Sequence, residues 1–450
     1  MKYYWYPLIC GIALLMFTGC AQRKGSYTPP RPEPMSRASD RRELSVERDL
    51  SPDSINEDEL TGAFDLNKAL SLALLHNPRL ASFSREVRAS EARALQAGVI
   101  SNPDIEFEMD DINANGFDDV STSINVSQPL ELAGKRVKRA RSANMSVEVD
   151  RWEYEIVRLE VLADVKKAFA ELIAAEEKLE LTKEMAALSE QMLDIVAKRV
   201  EAGKDSPIEK TNAQISVMTA EIDVRNGLRD LYVAKTNLAT VLGISVADFE
   251  FVDSDLDILE PAPEFDAISD RIPQNPSVAK NEASVEYYRL RLDLEKAKRF
   301  PDLNLGAGTS SSLTESKNTY RFGLGISIPV FNRNRPAVSG AVYDLEKAQI
   351  DREAIEVAVM AELSEAYQRL ISSYDEAIAL RDNILPASED VYSGISDGFS
   401  KGRFSYIEVL DAQRTLFELR SQYIETCIEY SFAKADIERL IGKSIDEISN

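Results

Sequence analysis

The stretch Ser123-Ile-Asn-Val-Ser-Gln-Pro129, continued by Leu-Glu-Leu-Ala-Gly134 and then Lys-Arg-Val-Lys-Arg-Ala-Arg141, changes its period in the middle. Ahead of Pro129, Ile124 and Val126 alternate with Ser123, Asn125 and Ser127, the two-residue repeat of a strand with unlike faces. Pro129 has no N–H to give to a ladder and can end the pairing, and Gly134 permits a turn. Beyond it, Lys135 to Ala202 runs without a Gly or Pro, and Leu162, Val165, Phe169 and Leu172 step by three and four, as do Met185, Leu188, Met192 and Ile195. At 1.5 Å per residue a continuous helix there is ~100 Å long. No compact core has that length, so such helices must pack side by side as coiled coils.

Working outward, the same grammar occurs twice. Asn77-Pro78 recurs as Asn275-Pro276 (275 − 77 = 198), Pro103-Asp104 as Pro301-Asp302 (198) and Pro129 as Pro329 (200). Gly203 recurs as Gly402 (199) and Leu242-Gly243 as Ile441-Gly442 (199). Five matches in order, at nearly constant offset, describe a tandem duplication. Repeat 1 is expected over 65–243, with a short helix, strands at about 103–112 and 120–129, and a helical hairpin over 135–242. Repeat 2 is expected over 265–442, with strands at about 301–311 and 319–329 and a hairpin over 336–441. Residues 244–264 link the two and 443–450 form a tail.

The other strands alternate in the same way. Ile105, Phe107 and Met109 interleave with Glu106, Glu108 and Asp110; Leu303, Leu305 and Ala307 with Asn304, Gly306 and Gly308; Tyr320, Phe322, Leu324, Ile326 and Ile328 with Arg321, Gly323, Gly325 and Ser327. Each is about ten residues long, the length of a tilted membrane-crossing strand (~9–11 residues). A soluble hairpin with one wet face has the same pattern. Four strands per chain leave two open edges, which hydrocarbon does not tolerate but neighbouring copies can close. Three chains would give 12 strands, and larger assemblies also close.

Composition excludes several other classes. The 53 Lys+Arg against 76 Asp+Glu give a net charge of −23, which leaves no basic field for nucleic acid. Cys10, Cys20, Cys427 and the single His76 make neither a disulfide framework, a metal centre nor a nucleophile–base pair, and there is no Gly-rich phosphate loop. No catalytic residue, resident metal or cofactor is expected, and the chain does not read as an enzyme. The leader is more informative. Lys2, the apolar run Leu8 to Phe17 and Thr18-Gly19-Cys20 form an export signal too short to span a bilayer, and its end resembles the bacterial lipobox, in which the thiol of Cys20 is acylated after removal of 1–19. Residues 20–64, with Pro29, Pro30, Pro32 and Pro34, then read as a lipidated, flexible tether. A soluble rod of long helices explains neither the four strands nor this leader; a structural periplasmic coiled-coil lipoprotein that tethers or spaces envelope layers is the alternative to a transport conduit.

From Asp65 to Gly442 the chain resembles the TolC family of outer-membrane efflux channels. The motifs that carry the resemblance are Asn77-Pro78, Gln128-Pro-Leu-Glu-Leu-Ala-Gly-Lys-Arg136, Ile328-Pro-Val-Phe-Asn-Arg-Asn-Arg335 and Gly402-Arg-Phe-Ser-Tyr-Ile-Glu-Val-Leu-Asp-Ala-Gln413. The two strand-to-helix junctions are similar to the CzcC-like branch, which serves heavy-metal cation efflux. The resemblance implies a mostly α protein with a membrane β-barrel: four strands per chain forming one third of a 12-stranded barrel of a homotrimer, continued by a long periplasmic coiled-coil tube. It further implies a passive exit duct in the outer membrane, partnered by lipid, a periplasmic adaptor and an inner-membrane resistance-nodulation-division pump, with drug efflux or type I secretion as other uses of such a duct. Glu408 and Asp411, one helical turn apart, fall where the family lines its periplasmic entrance, and three copies would make cation-attracting rings. Glu209 matches Glu408 in repeat 1 (408 − 209 = 199), while Asn212 stands where repeat 2 has Asp411. The tips Ala202, Gly203 and Lys204, and Gly402 and Arg403, are implied to meet the adaptor. Lys135, Arg136, Lys138, Arg139 and Arg141 form a basic cluster at the first junction, facing headgroups or lumen, or simply solvated.

Overall fold

The computed structural model describes residues 64–110, 121–244, 259–312 and 318–445. The chain divides into Met1–Arg48 and Asp49–Asn450, and every described residue lies in the second unit. The leader, Cys20, nearly all of the tether, most of the inter-repeat linker and the end of the tail lie outside the described residues.

Repeat 1 consists of α1 (Leu66–His76), α2 (Pro78–Ala97), β1 (Asp104–Asp110), β2 (Ser121–Leu130), α3 (Lys135–Glu201) and α4 (Pro207–Leu242). Repeat 2 consists of α5 (Phe265–Ser269), a 3-10 turn (Ile272–Gln274), α6 (Pro276–Ala297), β3 (Leu303–Ser312), β4 (Asn318–Ile326), α7 (Arg335–Ala379), a π turn (Leu380–Ile384), α8 (Leu385–Ser400) and α9 (Tyr406–Ile441). Strand β4 ends at Ile326, short of the 329 expected from alternation, because the Ser327-Ile-Pro-Val stretch leaves the ladder as it approaches Pro329. Pro386 does not end the second hairpin's descending helix. The π turn just ahead of it absorbs the misfit, and the helix continues to Ser400.

The Asn-Pro motifs fix where each hairpin returns. Oδ1 of Asn77 accepts from the amides of Arg79 and Leu80 at 2.9 and 3.2 Å, capping α2, while its Nδ2 donates to the carbonyl of Val241 at 2.7 Å. Asn275 does the same in repeat 2, accepting from Ser277 and Val278 at 2.7 and 3.3 Å and donating to Leu440 at 2.7 Å. One side chain therefore starts a helix and anchors the C-terminus of another about 165 residues on. The last turn closes on a left-handed glycine in both cases, Gly243 (φ +79°) and Gly442 (φ +71°).

A hydrophobic cluster sits beside each anchor. Phe64, Val165, Phe169, Leu172, Leu238 and Leu242 fill the first, and Ile268, Leu363, Leu370, Tyr430, Ile437 and Leu440 the second. Each fully buried Leu contributes ~1.5–3 kcal/mol relative to exposure. Toward the hairpin turns, α4 packs on α3, α3 on α9 and α9 on α7; toward the sheet, the order is α2, α3, α6 and α7. Charge pairs bind the repeats together between the clusters. Asp436 of α9 takes Lys167 of repeat 1 at 2.7 Å as well as Arg369 of its own repeat at 3.2 Å, and Glu438 takes Lys166 of repeat 1.

The strands form one antiparallel sheet in the order β1-β2-β3-β4, so β1 and β4 are its edges. Its register sorts the residues into two faces. The rows Ile105–Val126–Ala307–Phe322 and Phe107–Ile124–Thr309–Tyr320 lie on one face, and the rows Glu106–Asn125–Gly308–Arg321 and Asp104–Ser127–Gly306–Gly323 on the other. No described residue covers the apolar face: Ile105 is 73% and Phe322 87% exposed. No described helix is long and apolar enough to cross a membrane.

Candidate functional site

Two places hold the candidate functional side chains: the junction where strands become helices, and the paired tips where the hairpins turn. At the junction the turn needs left-handed backbone at Ala133 (φ +56°) and Gly134 (φ +68°) in repeat 1 and at Asn334 (φ +54°) in repeat 2. Three of the five basic residues there are engaged within the chain. Lys135 pairs with Asp302 at 2.8 Å, Arg139 pairs with Glu131 at 2.5 Å and donates to the carbonyl of Ala97 at 2.8 Å, and Lys138 donates to the carbonyl of Asp293 at 3.4 Å. The Lys135–Asp302 pair crosses from repeat 1 to repeat 2, and Asp302 also accepts from the amide of Leu132 at 3.1 Å. Asp302 belongs to the duplicated Pro-Asp motif, which ties one repeat's strand entrance to the other's helix start.

The tips have a common backbone and different side chains. After α3, the amides of Gly203 and Lys204 bond back to Val200 and Arg199, both at 2.9 Å; after α8, those of Gly402 and Arg403 bond back to Phe399 and Gly398 at 2.9 and 2.8 Å. The fifth position of each turn is a glycine at φ +71° or +78°. Ala202, Gly203, Lys204, Gly402 and Arg403 are all exposed.

Behind the turns Met192, Val196, Ala213, Phe399, Tyr406 and Val409 form a small core shared by both repeats. Arg199 seals it. Its guanidinium donates to both carboxylate oxygens of Asp205 at 2.5 and 2.9 Å and to the carbonyl of Phe399 at 2.6 Å, and stands 4.5 Å from the centre of the Phe399 ring. The bond from Arg199 holds the Asp205 carboxyl below the usual carboxylate range. A second link joins the repeats where the Tyr406 hydroxyl donates to Oγ of Ser216 at 3.3 Å; burial pushes that phenol up.

Of the three expected gate carboxylates, Glu408 and Asp411 stand exposed on the first turns of α9, and Glu209 is half-buried on the first turn of α4. Glu408 is engaged in a capping box. The Ser405 amide and hydroxyl donate to its Oε2 at 2.7 and 2.8 Å, while its own amide donates back to Oγ of Ser405 at 3.4 Å. These bonds, the amide first, hold its carboxyl below the ordinary glutamate range and so keep it charged. Ser206 and Glu209 repeat the spacing, but Ser206 accepts from Ile208 and no box forms. Glu209 Oε2 is shielded without a hydrogen bond, within the electrostatic reach of Arg199. No motif in the sequence marks Arg199, whereas the Ser-x-x-Glu spacing of Ser405 and Glu408 is that of a cap. Among the described residues no three His, Cys, Asp or Glu converge to hold a metal within one chain.

The family model described as "Outer membrane efflux protein" matches residues 69–244 and 267–443, once in each half. The cobalt-zinc-cadmium resistance protein CzcC of Cupriavidus metallidurans is 28% identical over 385 residues, covering 86% of this chain and 91% of that protein. The pyoverdine export outer membrane protein OpmQ of Pseudomonas aeruginosa is 21% identical over 457 residues, covering 96% and 95%. A solved structure of CusC, from a study of folding and transmembrane channel formation, superposes with a TM-score of 0.75 at 18% identity over 93% of this chain and 99% of that one, a likeness of fold. With most of its length matched by that model, and with a two-faced sheet running into two long helical hairpins, the chain belongs to the outer membrane efflux protein family.

Proposed function

We propose that this protein is the outer-membrane exit duct of a tripartite efflux system, conducting heavy-metal cations passively from an inner-membrane resistance-nodulation-division pump and a periplasmic adaptor to the outside. The observation that carries the reading is the sheet. It has one exposed apolar face suited to lipid, one polar face suited to a water-filled lumen, and two unpaired edges that only other copies can satisfy. Three copies close a 12-stranded barrel, and the helices continue it as a tube. Cys20 carries the lipid anchor, the exposed tips take the adaptor, and Glu408, Asp411 and Glu209 line the entrance as a cation-attracting constriction.

The cargo class is drawn from the CzcC relative at 28% identity, against the pyoverdine exporter at 21%. Planar-bilayer recording tests the duct: the purified protein should form discrete channels and migrate as a heat-modifiable oligomer on gels, whereas a helical lipoprotein without conductance sinks the proposal. Deletion of the gene in its host separates the cargoes. Sensitisation to divalent metal salts is expected, and sensitisation to organic compounds alone would transfer the duct to that class.

A further inference from the structure

Apolar exposure does not stop where the ladder stops. Tyr320, Phe322, Leu324 and Ile326 of β4 share the apolar face, and Ile328, 75% exposed, keeps their parity beyond the last rung. Three residues further on, Phe331 is 100% exposed. The nine residues of β4, rising ~3.3 Å each and tilted by ~40°, climb ~23 Å, close to the ~25 Å apolar band of a membrane barrel. Ile328 and Phe331 therefore come just past the hydrocarbon, at headgroup depth on the side where the helices begin.

The loop that carries them is fixed. The amide of Val330 bonds back to the carbonyl of Ile328 at 2.9 Å, and the amide of Asn334, itself in left-handed backbone, donates to Oδ1 of Asn332 at 3.1 Å. Nδ2 of Asn334 donates to the carbonyl and to Oε2 of Glu295, both at 2.9 Å, which clamps the loop on the end of α6, about one turn before Arg299. What the clamped loop presents is positive. From Asn318 to Tyr343 the chain contains Arg321, Arg333 and Arg335 and no carboxylate, although acids outnumber bases by 23 overall. Arg299, Arg333 and Arg335 are exposed, and their guanidinium groups take no carboxylate or carbonyl among the described residues. The nearby acids are occupied, Glu295 by Lys298 and Asn334, and Asp302 by Lys135. Repeat 1 is built the other way. With Pro129 aligned on Pro329, Phe331 answers to Glu131, which pairs with Arg139, and Arg333 answers to Ala133.

We infer that the β4–α7 loop and the end of α6 bind an anionic phospholipid of the adjoining leaflet, with Ile328 and Phe331 set beneath the headgroups and Arg299, Arg333 and Arg335 on the phosphate. Charge and continuity identify the occupant. The patch prolongs the apolar face of the sheet without a break, and a zwitterionic headgroup would leave its three arginines without net counter-charge. The headgroup role thus falls to the second junction. At the first, Lys135, Lys138 and Arg139 are already spent inside the chain.

This inference rests on the reading of the sheet as part of a membrane barrel. The test offers the full-length protein, in neutral detergent, equal amounts of phosphatidylglycerol and phosphatidylethanolamine, and counts the lipid retained by native mass spectrometry. The parent should keep phosphatidylglycerol in excess. Each of the three arginines replaced by Gln should lower that retention about five-fold, and Phe331→Ser should lower retention of both lipids. Arg136→Gln combined with Arg141→Gln, in repeat 1, should leave it within about two-fold. The repeat 2 arginines are unpaired within the chain and Phe331 is fully exposed, so these variants should conduct in planar bilayers as the parent does. Equal retention of the two lipids by a conducting parent, or loss with the repeat 1 pair alone, overturns the site and leaves the barrel standing. Phe331→Cys, in a chain whose Cys427 is buried, separates the occupants. An environment-sensitive dye on it should be quenched by spin-labelled phosphatidylglycerol in reconstituted vesicles; a dye quenched only from water, or shielded from both water and lipid by a second copy or another protein, overturns the proposal. If the parent forms no channels, the barrel reading fails first.

Discussion

Gly243 and Gly442 end equivalent helices with the same left-handed turn, yet replacing each by alanine should give very different results. Both substitutions force a Cβ into left-handed backbone (φ +79° and +71°), which costs ~1–2 kcal/mol. At Gly442 that is nearly all, since the new methyl would have only Cδ1 of Leu159 at 3.7 Å, an ordinary contact. At Gly243 the Cβ would stand 2.6 Å from the carbonyl oxygen of His76, 2.7 Å from Cδ of Pro78 and 3.1 Å from Cα of Asn77. Two of those atoms are backbone and the third belongs to a fixed ring, so no rotamer change relieves them, and the Asn77 cap would have to move off Val241. Overpacking of this kind adds ~1–3 kcal/mol, for a total of ~2–5 kcal/mol at Gly243 against ~1–2 kcal/mol at Gly442. Urea unfolding in detergent followed by far-UV circular dichroism reads the difference, and amide exchange at Leu80 and Ile244 localises it. Equal destabilisation, or faster exchange at the repeat 2 anchor in Gly442→Ala than at the repeat 1 anchor in Gly243→Ala, would refute the argument.

Three further outcomes follow from named contacts. Asn275→Ala should cost ~2–4 kcal/mol, combining a lost helix cap with an orphaned carbonyl at buried Leu440; Asn275→Asp, normally an equal cap, should recover little because its carboxylate would face that carbonyl. Arg199→Met should loosen both tips, read as faster amide exchange at Gly203 and Gly402. The Asp205 carboxyl is depressed in the fold, so its contribution is complete above the ordinary carboxylate value of ~3.9 and lost as pH falls through its lower folded value; the acid sensitivity of tip exchange in that range should vanish in Arg199→Met. Replacing Glu408 and Asp411 together by Ala should lower cation over anion permeability in bilayer recordings, and unchanged reversal potentials would remove both from the gate.

How much of this was legible in advance depended on whether a feature repeats. The Asn-Pro pairs and the glycines at 243 and 442 recur because each is part of an anchor that both halves need, so their spacing exposes the architecture before any fold is seen. The alternation of Ile105, Phe107 and Met109 with carboxylates likewise separates the two faces, since the side-chain period of a strand is fixed. What could not be read were contacts between residues far apart in sequence and present in one repeat only. Arg199 looks like any basic residue near a helix end, and its partner, the Phe399 carbonyl, is a backbone atom 200 residues away. The π turn at Leu380–Ile384, just ahead of Pro386 where the helix continues, was equally hidden.

The tips show how duplication was followed by divergence. Position 398 is the equivalent of 199 (398 − 199 = 199), and it is a glycine where repeat 1 has its arginine. A Cβ there would lie 2.4 Å from the Phe404 ring, so in repeat 2 the aromatic side chain folds back over its own turn, in space that any larger residue at 398 would claim. In repeat 1 the arginine reaches outward instead and closes on the carbonyl and ring of Phe399. The turn geometry requires only its glycine at 203 or 402, which left the fourth residue before it free to change. The two tips are thus alike in backbone and opposite in role: repeat 1 supplies the group that holds, and repeat 2 supplies the surface that is held together with the exposed carboxylates of α9. A movement that swung α8 and α9 away from α3 would have to pull Phe399 from Arg199 and Tyr406 from Ser216, and the charge-assisted bond from Arg199 to the Phe399 carbonyl, at 2.6 Å against 3.3 Å, is the stronger of these two restraints.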